Sequence, residues 1–251
     1  MEAVFASARA FQNIVDALRG ILSHATFDCD AKGVSVQGMD AERVALVELR
    51  LNRAGFARYE CERKVSFSVP VRGLVKIVHA ADPRKKLAMR ASARDDRLHF
   101  EFESAPQRTV ACALAQISLD VERLGVPDNE HDCVLAVSSD EYAKVCRDLM
   151  RLGATSVEVS CGAAGLRFTA DASDGVHASV LLRAPPQRQL TQVFACRYLN
   201  AFARAWTLSK YVDVCMTADT PLRLRFCIGL LGTLDLYLAP QMRIIDVRDS
   251  Q

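Results

Sequence analysis

Four stretches of the chain repeat apolar residues at helical spacing, and the runs between them alternate in the manner of strands. In 139–152 (SDEYAKVCRDLMRL), Tyr142, Val145, Cys146 and Leu149 recur three and four apart, the stripe of a helix docked on a core. Lys144, Arg147 and Arg151 fall at i, i+3 and i+7 and share a different face. The same design predicts a helix over 7–22, with Phe11, Ile14, Val15, Leu18 and Leu22 inward, Arg9, Gln12, Asp16 and Arg19 elsewhere, and Gly20 weakening the last turn. It predicts another over 70–80, where Pro70 suits the first turn and Arg72, Lys76 and His79 fall at i, i+4 and i+7. A fourth, over 196–206, turns Tyr198, Leu199, Phe202 and Ala205 inward and places Arg197 and Arg204 two turns apart.

Between these helices the pattern has period two. Strands are predicted at 26–29, 33–39, 44–51, 59–61, 65–69, 86–91, 97–103 and 109–114 in the first half. In the second half they fall at 133–137, 157–161, 166–169, 176–182, 191–194, 212–216, 222–228 and 233–238. Turn sequences such as D-A-K-G, G-A-A-G and A-D-T-P separate them. Helix starts spaced by about 55–70 residues are too far apart for a solenoid and fit two similar domains with two small α+β units each. The fold class is therefore α+β, with helices on antiparallel sheets. The stretch 115–132, with Gly125, Pro127 and several charges, reads as an ordered connector. Domains are expected at 1–114 and 133–251.

Composition narrows the function. The 251 residues are half hydrophobic and one quarter charged, with a net charge of +2, so a strongly basic nucleic-acid binder is not indicated. No apolar run reaches membrane-span length, and the first residues lack the basic-then-apolar layout of a secretory signal. Nine cysteines without a C-x-x-C pair read as reduced, mostly buried small hydrophobes.

The chemistry of catalysis is sparse. No phosphate-cradling glycine loop, no H-E-x-x-H and no G-x-S-x-G occurs, and the five histidines are scattered without metal-ligand spacing. Asp28 and Asp30, and Asp95 with Asp96, fit turns better than acid–base work. No catalytic residue, metal site or cofactor is expected, and a small α+β enzyme would need a convergent cluster that these spacings do not supply. One basic helix face is most simply a solvated face. Four, in a chain whose remainder is slightly acidic, suit weak contact with phosphates irrespective of sequence. Asp140, Glu141 and Asp148 need not share the stripe of Lys144, Arg147 and Arg151.

The stretches CRDLMRLG (146–153), LDVERLGVP (119–127), CRYLNAF (196–202), LYLAP (236–240) and VSVQGMDAERVALVEL (34–49) resemble, in order and spacing, the proliferating cell nuclear antigen family of sliding clamps. The resemblance spans essentially the whole chain. It implies a homotrimeric ring around double-stranded DNA, working in the nucleus as a polymerase processivity factor and docking platform in replication and repair. It implies a clamp loader as a further partner, and no enzymatic activity. A subunit of a heterotrimeric or checkpoint-type clamp is the alternative.

Carried over by position, the DNA-facing residues are Arg19, Lys76, His79, Lys144, Arg147, Arg151, Arg197 and Arg204, with Arg9 and Arg108 weaker. Proteins bearing a short clamp-binding motif would dock against Met39, Val44, Leu46, Leu124, Val126, Pro127, Pro221, Tyr237, Ala239 and Pro240. The ring contact would pair strand 108–114 (Arg108, Thr109, Val110, Cys112, Leu114) with 175–182 (Gly175, His177, Ser179, Leu181) of the next subunit. The chain departs from the family at several points. It is slightly basic where the family is acidic, and Gln12 and Asn13 stand for two lysines. Ala163 replaces the lysine that takes ubiquitin, His131 a connector aromatic and Cys112 a bulky aromatic.

Overall fold

The computed structural model describes residues 1–92, 95–105, 108–119, 124–125 and 131–241, excepting the side chains of 103–105. In the first half the elements are β1 (Glu2–Phe5), α1 (Ala8–Leu18), β2 (His24–Asp30), β3 (Gly33–Met39), β4 (Ala45–Asn52), β5 (Arg58–Glu60), β6 (Val65–Pro70), α2 (Val71–Ala80), β7 (Leu87–Ala91), β8 (Arg97–Ala105) and β9 (Arg108–Ala115). In the second half they are β10 (Cys133–Ser138), α3 (Ser139–Arg151), β11 (Ser156–Gly162), β12 (Gly165–Asp171), β13 (His177–Arg183), β14 (Leu190–Ala195), α4 (Cys196–Phe202), β15 (Tyr211–Met216), β16 (Leu222–Cys227) and β17 (Gly232–Leu238). Three short 3-10 segments join them, Arg53–Gly55, Ala203–Leu208 and Gly229–Leu231.

The strands form three antiparallel sheets. An eight-stranded sheet, ordered β10-β15-β16-β17-β4-β3-β2-β6, runs through both halves. Its seam is β17 against β4, with Leu236 opposite Val47 and Tyr237 opposite Leu46. Gly232 opens β17 at φ +144, where an added Cβ would sit 1.9 Å from the Arg50 carbonyl oxygen, so this close approach needs glycine. The outer sheets are β5-β1-β7-β8-β9 and β13-β12-β11-β14. β9 and β13 are therefore both edge strands.

The helices begin where the sequence can satisfy their free N–H groups. Ser7 caps α1 through a bond from Arg9 N, and Ser138 caps α3 through Glu141 N. Asp140 and Glu141 in the first turn of α3 also suit its dipole. Each helix buries the predicted stripe: Phe11, Ile14, Val15 and Leu18 on α1 and Leu74 and Val78 on α2 are wholly shielded. Tyr142, Cys146 and Leu149 do the same on α3. The helices pack as a row, α2 on α1, α1 on the 3-10 segment after α4, and that segment on α3.

Three expectations are corrected. The first helix stops at Leu18, and Arg19–Ile21 form turns that swing the chain into β2. The fourth is α-helical only to Phe202 and continues as a 3-10 segment. Gly20 lies against that segment, with an added Cβ 3.1 Å from Arg204 Cδ, so the missing side chain permits this contact between the two halves. Glu2–Phe5 is a strand that the sequence pattern did not single out, and it sits inside the first outer sheet between β5 and β7.

Candidate nucleic-acid interface and docking groove

The exposed side of the helix row carries the predicted cations, but they are not equally free. Arg19 caps the end of α1 and lies 3.2 Å from Asp16, and the His79 ring approaches the same carboxylate at 3.1 Å. Lys76 and Arg204 are exposed and make no hydrogen bond or ion pair with any described residue. Arg147 Nε donates to the Ala143 carbonyl at 3.1 Å. Arg197 pairs with Glu42 and stacks its guanidinium 4.8 Å from the Tyr198 ring centre.

On α3 the basic stripe is shared with acids. Lys144 is held by Asp140 at 2.7 Å and Glu141 at 2.8 Å, which push its ammonium pKa upward. Arg151 lies 3.7 Å from Asp148. Spacings of three and four residues make these groups neighbours on the helix surface, so the acids share the stripe and neutralise Lys144 and Arg151 in part.

On the opposite face of the large sheet, outward residues of β3, β4 and β17 line a groove of about 380 Å³. Leu46 and Tyr237, directly paired across the seam, form its floor. Met39, Val44, Leu124, Pro221 and Ala239 complete the apolar lining, as predicted. Pro240 does not line it. Ala239 N still bonds the Val44 carbonyl at 2.9 Å, but Gln241 N reaches Val193, so the chain is already turning toward β14. Val126 and Pro127 lie outside the described residues.

The sequence reading missed Arg43, Gly125, Thr217 and Thr220 as lining residues, and the groove also includes His131. Thr220 belongs to the A-D-T-P turn and Thr217 precedes it, and Gln192 Nε2 donates to their carbonyls at 3.0 and 3.3 Å respectively. The connector is tied across the groove's rim by Gln37, which bonds both the carbonyl and the N–H of Leu124 at 2.9 Å. Beside the floor, on the same face of the sheet, Asp235 takes Arg223 Nε at 2.9 Å and Arg225 Nε at 2.8 Å, and Arg223 lies against the Tyr237 ring.

Asp40 shapes the groove's corner. Its carboxylate accepts from Val44 N, Ala45 N, Glu42 N and the Tyr198 hydroxyl. Burial alone would raise its pKa, but the Tyr198 hydroxyl and the three N–H groups outweigh burial and hold it below the usual carboxylate range. A lowered folded pKa gives stability that is complete above the unfolded value of about 3.9 and is lost as pH falls through the folded one. Asp40→Asn is expected to cost about 1–3 kcal/mol at neutral pH. In thermal melts that difference should shrink only below about pH 4, and a difference independent of pH would contradict the assignment.

Of the residues expected at a ring contact, Arg108, Thr109, Val110, Cys112 and Leu114 all lie on edge strand β9. His177, Ser179 and Leu181 lie on edge strand β13 with alternate spacing, so they share one of its faces. Gly175 is corrected: it sits in the turn before β13, at φ +79, bonding Ala172 rather than extending the strand. Among the described residues no cluster of three potential metal ligands occurs, and no helix is long and apolar enough to cross a membrane.

Two similar α+β halves, a shared central sheet, a row of helices on one face and a free edge strand on each outer sheet define the clamp fold. The chain belongs to the proliferating cell nuclear antigen family. Residues 1–123 match the family's N-terminal domain and residues 125–241 its C-terminal domain. It is 65% identical over 242 residues to a protein of Orgyia pseudotsugata multicapsid polyhedrosis virus named "Probable DNA polymerase sliding clamp", covering 96% of this chain and 97% of that one. A protein of the same name from Autographa californica nuclear polyhedrosis virus is 36% identical over 249 residues, 96% of each chain.

Proposed function

We propose that this protein is a DNA sliding clamp. Three copies close head to tail into a ring around duplex DNA, which tethers a polymerase and other replication and repair proteins in the nucleus. The observation that carries this reading is similarity over almost the full length to two proteins named as DNA polymerase sliding clamps. Domains at 1–114 and 133–251, joined by the connector 115–132, are the units of each subunit. In this reading the chain performs no chemistry and holds no cofactor, and an ATP-driven loader opens the ring. Client proteins place a short motif with apolar and aromatic anchors in the groove over Leu46 and Tyr237.

The part-neutralised helix face suits this role. Strong phosphate contacts would pin the ring, whereas enclosure holds the DNA without them. Extension of primed circular DNA by a partner polymerase with loader is the test. Converting Arg147, Arg151, Arg197 and Arg204 together to Glu should reduce stimulation by about tenfold or more, since four potential phosphate contacts become repulsive. Undiminished stimulation would remove these residues from the DNA-facing set.

A further inference from the structure

Two cations of the helix row that make no ion pair with any described residue, Arg72 and Lys76, stand together beside Arg19. Between the C-terminal end of α1 and the first turn of α2 lies an open cleft of about 550 Å³. Arg19, Arg72 and Lys76 line it, and among the described residues no acidic side chain does, although Asp16 reaches Arg19 at 3.2 Å. Leu22 and Val75 give it an apolar base. Arg72 and Lys76 stand one turn apart on α2 and make no ion pair with any described residue. Arg19 is shared with Asp16, so the contrast with α3 rests on Arg72 and Lys76, because on α3 Lys144 and Arg151 both have carboxylate neighbours within the same helix.

The backbone supports the same reading. Pro70 precedes α2 and offers no side-chain cap. The Val71 N–H is taken by the Ser23 carbonyl. The next N–H groups, of Arg72 and Gly73, begin the helix without an intrahelical acceptor, which leaves a positive helix end beside the three cations.

We propose that Arg72 is a further DNA-contacting residue, completing with Arg19 and Lys76 a cleft that holds one backbone phosphate of the enclosed duplex. The inference rests on the clamp reading. Its consequence is that the DNA path is not centred evenly on the four helices. It leans toward the α1–α2 end of each subunit, where Arg72 and Lys76 carry no ion pair with any described residue, and away from Lys144 and Arg151 on α3.

The test is equilibrium binding of a short fluorescent duplex to the full protein across a salt series. Wild type is compared with Arg72→Ala, Arg72→Lys, and Arg50→Ala as a control on the opposite face of the large sheet. Losing one phosphate contact lowers the slope of log K against log salt by about one. Arg72→Ala is expected to show that loss, while Arg72→Lys and Arg50→Ala keep the wild-type slope. In the wild-type protein, the backbone amides of Ser23, Arg72 and Gly73 should also shift on adding duplex, a readout that needs no variant. A wild-type slope in Arg72→Ala together with unmoved amides overturns the Arg72 assignment and leaves the clamp reading intact. Failure of the wild-type protein to bind any duplex even at low salt likewise overturns the phosphate cleft, whereas the clamp reading, which rests on enclosure, fails only if the loaded protein does not stimulate a polymerase on primed circular DNA.

Discussion

A single proline on β9 is expected to convert a ring of about three times 27.6 kDa into single chains. β9 pairs with β8 on one side only and leaves its other edge open. Along such a strand, N–H groups alternate between the inner neighbour and the open edge. Of two adjacent substitutions, Ala111→Pro and Cys112→Pro, one removes a bond to β8 and damages the fold. The other removes only an outward donor, which an edge strand tolerates. That second variant should melt close to wild type yet scatter light as a monomer, because the lost donor recurs at each of three interfaces. It should also fail to support processive synthesis. If the variant that melts close to wild type remains trimeric, β9 is not the ring contact. A wild-type chain that stays monomeric until mixed with other clamp subunits would favour the heterotrimeric alternative.

The second large effect concerns the groove. Leu46 and Tyr237 meet across the β4–β17 seam and offer the floor on which an aromatic anchor would rest. Buried aromatic and aliphatic anchors at the centre of an interface carry about 2–4 kcal/mol each. Tyr237→Ala or Leu46→Asp should therefore weaken binding of a client-motif peptide by roughly 30-fold to several hundredfold. Mass in light scattering and affinity for duplex DNA should stay unchanged. Fluorescence titration of the labelled peptide reads the effect, and unaltered peptide affinity would move the docking site elsewhere.

The fold was legible in large part because buried positions announce themselves by period. Tyr142, Cys146 and Leu149 recur at helical spacing and are all shielded, and β4 alternates buried and outward residues along its length. What escaped was local or long-range. Glu2–Phe5 is four residues long and gains its strand character only from β5 and β7 on either side. The 3-10 turn after Phe202 packs its Arg204 against Gly20 of the other half, a contact that no local pattern reveals.

The candidate site divides in the same way. Helical spacing gave the cations a shared face, but net charge by segment could not say that Lys144 is held by Asp140 and Glu141. The groove residues came through resemblance alone, since apolar side chains on a strand look like any core. Arg72 was visible as a member of the Lys76–His79 stripe, and only its free state and its neighbours Arg19 and Lys76 mark it out. Asp40 shows no signal beyond a turn residue, yet it fastens the groove's corner to Tyr198 on α4. Its neighbour Glu42 holds Arg197, so one loop supports both the groove and the DNA-facing helices.

Topological enclosure is the central claim, and retention on DNA of defined topology measures it most directly. The protein is loaded onto nicked circular duplex, freed of unbound protein by gel filtration, and the DNA is then cut once with a restriction enzyme. The account predicts stable retention on the circle and rapid loss after the cut, as rings slide off the new ends. Equal retention on circular and cut DNA, or none on either with a competent loader, would contradict it.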